Sequence, residues 1–359
     1  MTNVNSKVVT YLIKMSESTH TVILAGGEGT RLRPLTNSLP KPMLPIIGIP
    51  CIQYSIEALK NANIKNVHLA CGYRSDDLIP RLQGLDLGIN LDFTIEQEPA
   101  GTAGAVKLLE DRISSTFIVT SGDVLADVDM KALLDEHKKS HAIATIALTE
   151  VENPSEFGIV GLDSEGRINR FKEKPKGEEI FSKLINAGIY VLEKDVLNYI
   201  PGNTKYDFSK NLFPLLLEKG ELLHGARLQG IWKDIGRPSD LLDANIAMAE
   251  RKGTAGDRCN ARCVGRIVSS DFQGNGCSIV GPSYIGKNVV IGKQSHLESC
   301  AIGDNSSVGA DTYLKHVMLR ENCTLGEGCV LENVVLGRNC TVAPDKVIKN
   351  SVIGDFSKI

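Results

Sequence analysis

One spacing governs the last third of this chain. Ile285, Ile302, Leu319, Leu336 and Ile353 recur every 17 residues, and so do Ile291, Val308, Leu325, Val342 and Ile359. Leu297, Leu314, Leu331 and Ile348 form a third column with the same period. The columns divide the 17 residues into steps of six, six and five. A repeat of this length, with three inward aliphatic positions, describes a coil of three short strands stacked on its neighbours. A parallel β-helix is therefore predicted, with residues 253–359 as its domain. Its register also accounts for most of the cysteines. Cys323 and Cys340 share a column with Val289, Ser306 and Ser357; Cys329 shares one with Ser295 and Thr312; Cys300 shares one with Ser283, Val317, Val334 and Ser351. These are mostly columns of small side chains, so buried packing is expected of them. Cys259 and Cys263 lie in the poorly phased first coil, and their spacing alone does not argue for zinc.

The remaining length leaves room for one more domain. At about 150 residues per domain, 359 residues suggest two. Forty basic residues against 43 acidic ones give a net charge of −3, which is no electrostatic footprint for bulk nucleic-acid binding. No apolar run approaches the ~18 residues that a membrane helix needs, so no membrane partner is expected. The opening MTNVNSKVVTYLIKMSESTH lacks a sustained apolar core and a small-residue cleavage site. Nine cysteines, an odd number, do not read as a disulfide framework. A reducing cytoplasm is the expected setting. Residues 1–19 are read as an N-terminal extension, with Met15 close to the first strand and residues 1–14 expected to be dispensable.

Residues 20–252 alternate apolar runs with helical periods. Thr21–Ala25, Val67–Cys71 and Phe117–Thr120 read as buried strands. Ile52–Ala62, Thr102–Glu110, Met130–Lys138 and Arg237–Lys252 read as helices. This alternation predicts an α/β domain with a mostly parallel sheet, Rossmann-like in character. Between Ala142 and Leu192 strand-like runs dominate, so an antiparallel addition is expected there.

The chemistry concentrates after the first strand. Leu24-Ala-Gly-Gly-Glu-Gly-Thr-Arg-Leu-Arg-Pro-Leu-Thr36 is followed by Pro40-Lys-Pro-Met43. A glycine-rich turn after a buried strand lets backbone N–H groups approach phosphate oxygens. GxxxxGK[ST] is absent, and the glycines at 26, 27 and 29 do not continue to the third glycine of GxGxxG. What remains is a phosphate loop with cations: Arg31 can fork onto a polyphosphate, and Lys41 adds a point charge. Asp127-Val-Asp129 imitates the DxD of glycosyltransferases, but N-capping of the helix from Met130 is the favoured reading. Trp232 is expected to pack near Asp234, and His296 and His316 are read as surface residues of the β-helix.

These residues resemble the sugar-1-phosphate nucleotidyltransferases, whose signature LxGGxGTRLxPLTxxxPKPM is matched by residues 24–43 almost position for position. The likeness continues through Gln97–Gly104, Ser121-Gly-Asp123, Phe157-Gly158, Phe171–Pro175, Ile185–Gly188 and Trp232–Gly236. The tail resembles the left-handed hexapeptide-repeat β-helix that follows the catalytic domain in several subfamilies. The resemblance implies the reaction of an NTP with a sugar 1-phosphate, giving an NDP-sugar and pyrophosphate. It implies that Leu24, Ala25, Gly26, Gly27, Gly29, Thr30, Gln97, Gly101, Thr102 and Gly122 bind the nucleotide. By the same resemblance Arg31, Lys41, Asp123, Lys174 and Asp234 would carry the chemistry, with Mg²⁺ held between Asp123 and Asp234. Gly158, Glu173 and Asn186 contact the sugar.

The segment Glu98–Gly104 is closer to the guanylyltransferase style than to the thymidylyl or uridylyl styles. GTP and mannose 1-phosphate are accordingly the expected substrates, with glucose 1-phosphate and dTTP or UTP as the alternative. An acyltransferase tail is disfavoured by the uninterrupted phase from Ile285 to Ile359, and a non-catalytic sensor by the intact charged set. Because inward columns continue through Ile353 and Ile359, a homo-oligomer formed through the β-helix is expected, with that domain serving assembly and stability more than chemistry.

Overall fold

The computed structural model describes residues 21–257, 259–269 and 271–359. The expectations for residues 1–19, including a start at Met15, lie outside them. The described chain forms two compact units that do not follow sequence order. One holds the residues through Gly26 together with Ser55–Gly122 and Asp127–Trp232; the other holds Gly27–Tyr54, Asp123–Ala126 and Lys233–Ile359.

The first unit is built on a nine-stranded sheet. Its strands are β1 (Thr21–Ala25), β2 (Asn66–Cys71), β3 (Asn90–Ile95), β4 (Phe117–Ser121), β5 (Ala144–Glu150), β6 (Gly158–Leu162), β7 (Ile168–Glu173), β8 (Leu184–Leu192) and β9 (Leu223–Arg227). The order is β7-β6-β8-β4-β1-β2-β3, with β5 on β8 and β9 on β5. β4, β1, β2 and β3 run parallel, and β8 is antiparallel to β4, β5 and β6. The antiparallel part falls where the strand-rich stretch predicted it. β1 is buried nearly throughout, as suits a central parallel strand covered on both faces. Tyr190, Phe208 and Phe213 interlock in the core, their centroids 4.9 to 5.7 Å apart. Asp129 caps the helix Met130–Ser140 by accepting the Ala132 N–H at 2.9 Å, as expected. Trp232 packs edge-on to Phe157.

In the second unit the 17-residue phase becomes strand register. Ile285 pairs with Ile302, Ile302 with Leu319, Leu319 with Leu336, and Leu336 with Ile353, all in parallel. Leu297, Leu314 and Leu331 stack likewise, each fully buried. The small columns do more than fill corners. Ser306 Oγ donates to Arg320 O at 3.1 Å, Cys323 Sγ to Gly337 O at 3.0 Å and Cys340 Sγ to Gly354 O at 3.1 Å. The Ser306 hydroxyl and the Cys323 thiol each satisfy a buried carbonyl of the following coil, whereas Gly354 O accepts from Ser357 Oγ at 2.8 Å as well.

A further column escaped the sequence reading. Asn288, Asn305, Asn322 and Asn339 all take φ between 55 and 61° at one corner. Asn tolerates this left-handed region better than other non-glycine residues. Phe356 continues the column at φ 61°.

The helix Pro238–Lys252 lies on the coils and buries Leu241, Leu242, Ala244, Met248 and Ala249. Its buried Asn245 accepts the Ile47 N–H at 2.7 Å, and the Tyr284 hydroxyl packs on Gly48. The segment 27–54 is thereby seated within the β-helical unit.

Leu314→Ala is expected to destabilise the protein by about 2–5 kcal/mol, because coils stacked above and below cannot close the cavity. Val290→Ala, on the exposed face, is expected to stay within about 0.5 kcal/mol of the parent. Denaturant titration of both variants checks the contrast.

Candidate active site

Four of the five charged residues expected to carry the chemistry lie in one unit. The segment after Gly27 forms three short 3-10 turns, Thr30–Leu32, Leu35–Asn37 and Lys41–Met43. Gly29 permits the first of them at φ 64°. A side chain there would be strained, and its Cβ would stand 3.2 Å from Lys41 Cβ. Thr36 Oγ1 closes the turn by donating to Gly29 O at 2.9 Å.

Lys41 is 8% exposed, and its Nζ lies 2.5 Å from Asp123 Oδ2. A lysine this buried needs a partner, and the turn after β4 supplies it. Asp123 also faces the glycine loop: a methyl on Gly27 would stand 3.9 Å from Oδ2. Asp234 and Arg31 converge at Gly236. A methyl there would be 2.9 Å from Asp234 Oδ2 and 3.3 Å from both terminal nitrogens of Arg31. Burial pushes the Asp234 carboxyl above its ordinary range, Lys41 and Arg31 oppose the shift, and Asp123 adds to it. Thr30 and Arg31 are exposed at the edge of this group.

Cys51, which the sequence reading passed over, lies buried beneath the same charges. Its thiol is pushed up chiefly by burial, then by Asp123. Nothing in its sequence context marks it.

The other unit carries the expected base and sugar segments. Leu24 O accepts the Gly122 N–H at 2.9 Å, which joins the ends of β1 and β4. Ala25 pairs with Cys71, and Gly26 lies beside Glu96. Glu96 accepts the Ala100 N–H at 3.0 Å, and burial raises its carboxyl. Gln97 is exposed. Gly101 sits at φ 76° against the Tyr206 backbone, and the N–H groups of Ala103 and Gly104 both donate to Tyr206 O at 2.9 Å. Thr102 donates to Asp207 through its N–H and its hydroxyl. Glu96, Tyr206 and Asp207 were not singled out from sequence, because the last two enter from a stretch a hundred residues away.

Glu173 and Gly158 oppose each other on β7 and β6. Burial raises the Glu173 carboxyl, and Lys174 is the foremost charge opposing the shift. Lys174 is exposed at φ 47°, and its N–H donates to Phe157 O. Asn186 is 8% exposed and largely engaged. Its Nδ2 donates to Tyr190 Oη and Ser209 Oγ, both at 3.0 Å, and its Oδ1 accepts the Gly188 N–H at 2.9 Å.

His316 pairs with Asp243 at 3.0 Å, and His296 stacks on Tyr313. Among the described residues no group of three or more His, Cys, Asp or Glu side chains forms a metal cluster.

The glycine turn thus gathers buried Lys41, two carboxylates and an exposed arginine. The chain belongs to the nucleotidyl transferase family, which matches residues 20–251. Residues 268–359 match the family described as the GMPPB C-terminal domain. The chain is 39% identical over 232 residues to the mannose-1-phosphate guanyltransferase of Saccharomyces cerevisiae, covering 63% of each chain. It is 39% identical over 233 residues to the mannose-1-phosphate guanylyltransferase catalytic subunit beta of Drosophila pseudoobscura, covering 64% of this chain and 62% of that one. The matched stretch thus spans less than two thirds of these relatives. The structure of HddC from Yersinia pseudotuberculosis complexed with GMP-PN is 28% identical, with a TM-score of 0.55, covering 64% of this chain and 99% of that one.

Asp234→Asn separates stability from chemistry. Burial raises the folded carboxyl above its ordinary range, so the folded state takes up this proton more readily than the unfolded chain and is favoured at low pH. That contribution is lost as pH rises through the raised pKa. A neutral amide removes the buried charge, so the melting temperature at pH 7 is expected to rise, with little gain near pH 3. Turnover is expected to fall by about a hundredfold or more. Calorimetry at both pH values and a pyrophosphate-release assay measure the two effects.

Proposed function

We propose that the protein transfers a guanylyl group from GTP to mannose 1-phosphate, giving GDP-mannose and pyrophosphate. The convergence of Lys41, Asp123, Asp234 and Arg31 around the glycine turn carries the reaction class. The names of the relatives support the choice of base and sugar.

The sugar phosphate is already an anion at neutral pH, so the transfer needs no general base. The difficulty is to bring two anions together and to stabilise charge on the departing pyrophosphate. Arg31, exposed and forked, suits the β- and γ-phosphates. Lys41 keeps N–H donors for the α-phosphate while bound to Asp123. Lys174 would hold the sugar phosphate, and Glu173 would accept from sugar hydroxyls. Gly26, Gly27 and Gly29 would present backbone N–H groups to the triphosphate.

The Asp123 and Asp234 carboxylates suit Mg²⁺, which takes one or two carboxylates and fills its remaining positions from phosphates and water. The raised carboxyl of Asp234 fits this donor set, since a divalent cation would relieve the two charges. Bound there, the ion would neutralise charge on the reacting phosphates.

The nine cysteines are all free thiols, which suits a reducing cytoplasm, the proposed location. A homo-oligomer through the coils is also proposed. Val347 is 65% exposed and Phe356 63%, large apolar groups left open on the last coil.

Pyrophosphate release with GTP, dTTP, UTP, CTP and ATP, each against mannose and glucose 1-phosphates, tests the substrate assignment. GTP with mannose 1-phosphate is expected to exceed every other pair by about tenfold or more in kcat/KM; an equal or higher rate with dTTP and glucose 1-phosphate would replace the assignment. For assembly, sedimentation at low micromolar concentration is expected to show an oligomer that Val347→Asp weakens. A monomeric parent chain would end that proposal.

A further inference from the structure

The loop that carries Arg31 and Lys41 buries Leu32, Leu35 and Met43, while its backbone is held by local turns. Among the described residues its three turns make short-range backbone bonds: Leu32 to Gly29, Arg33 to Thr30, Asn37 to Pro34, Met43 to Pro40 and Leu44 to Lys41. Its middle, from Pro34 to Ser38, rests on the coil that contains Gly354 and Asp355. A methyl on Gly354 would stand 3.1 Å from Pro34 Cβ, so the two backbones approach closely. Ser38 Oγ donates to Asp355 Oδ2. Ser38 lies seven residues after Arg31 and three before Lys41.

Asp355 is itself tightly held. Its Oδ1 accepts the Arg338 N–H at 3.0 Å, and its Oδ2 accepts from Arg338 Nε at 3.0 Å. Arg320 Nη1 lies 3.7 Å from Oδ1, with the Arg320 side chain 2% exposed. The Arg338 guanidinium covers the Phe356 ring at 5.6 Å. Arg320 stands where the neighbouring coils have Gly286, Gly303, Gly337 and Gly354.

Another aspartate in the same column shows what stacking alone requires. Asp304 accepts the Lys287 N–H at 2.9 Å through Oδ1, the same bond that Asp355 makes to Arg338 N. One carboxylate oxygen is enough for that coil-to-coil bond. At Asp355 the second oxygen is directed to Ser38 and Arg338. Burying an arginine and an aspartate costs desolvation that a glycine corner avoids. The return is a fixed acceptor pointing at the loop.

We propose that Asp355 is a positioning residue for the transfer: through Ser38 it fastens the 30–43 loop to the coils and so sets where Arg31 and Lys41 stand. The inference rests on the reading of that loop as the triphosphate site. It makes the β-helix a part of the catalytic geometry as well as a scaffold.

The test compares Ser38→Ala, Asp355→Asn, Asp355→Glu and the Ser38→Ala/Asp355→Asn double variant in the full chain. Hydrogen exchange of the 30–43 amides is expected to speed up about tenfold or more in both single variants, as the loop opens locally. The kcat is expected to fall about tenfold while KM for mannose 1-phosphate stays within about twofold, the mark of misplaced charges that meet the departing pyrophosphate. The double variant is expected to lose no more than the more damaging single one, because both cut the Ser38–Asp355 link. Asp355→Glu is expected to recover part of the loss. Ser38→Ala, which leaves the coils intact, is expected to keep the parent melting temperature, and it carries the test alone if Asp355→Asn fails to fold. Unchanged loop exchange in Ser38→Ala, or additive losses in the double variant, would overturn the clamp. A parent chain that transfers no nucleotide would overturn the functional reading instead, while the exchange data would still decide the clamp.

Discussion

The contact between Lys41 and Asp123 organises the candidate site. An ammonium group removed from water is tolerated only beside an anion, and here the carboxylate stands at 2.5 Å. Around this pair lie the glycine turn at Gly27 and Gly29, the carboxylate of Asp234 and the thiol of Cys51. Two acids of one sign so close together are costly without cations. Lys41 and Arg31 lower that cost, and it is chiefly burial that still leaves the Asp234 carboxyl raised.

The β-helix answers a different constraint. Each coil has the next one stacked on it, so every inward carbonyl must find a donor and every corner must turn within a few residues. Serine, threonine and cysteine supply the donors, and asparagine takes the left-handed corners. Once those demands are met, the outer face is free to carry other elements. Helix Pro238–Lys252 uses it to bury one side, and the segment 27–54 is tied to the same unit through Asn245, Tyr284 and Asp355. The coils' contacts with Pro34 and Ser38 also seat the loop that carries Arg31 and Lys41.

Much of this was legible in the residue order. The 17-residue period determined the strand register pair by pair, because a side chain on a stacked coil can meet only its equivalent one coil away. The buried strand followed by glycines determined where the glycine turn lies, and Arg31 and Lys41 from it converge with Asp123 and Asp234, whereas Arg33 pairs with Glu28 at the surface. Other features had no local signal. The pairing of Thr102 with Asp207, the engagement of Asn186 by Ser209 and the seat of Ser38 on Asp355 each join residues far apart in the chain. Composition and spacing act over a few turns of chain, whereas a hydrogen bond between Ser38 and Asp355 exists only after both segments have packed. The sequence by itself determined the kinds of element and the chemical groups on the loop. The tertiary structure decided which distant side chains hold those groups in place, because burial and close approach are properties of the packed chain.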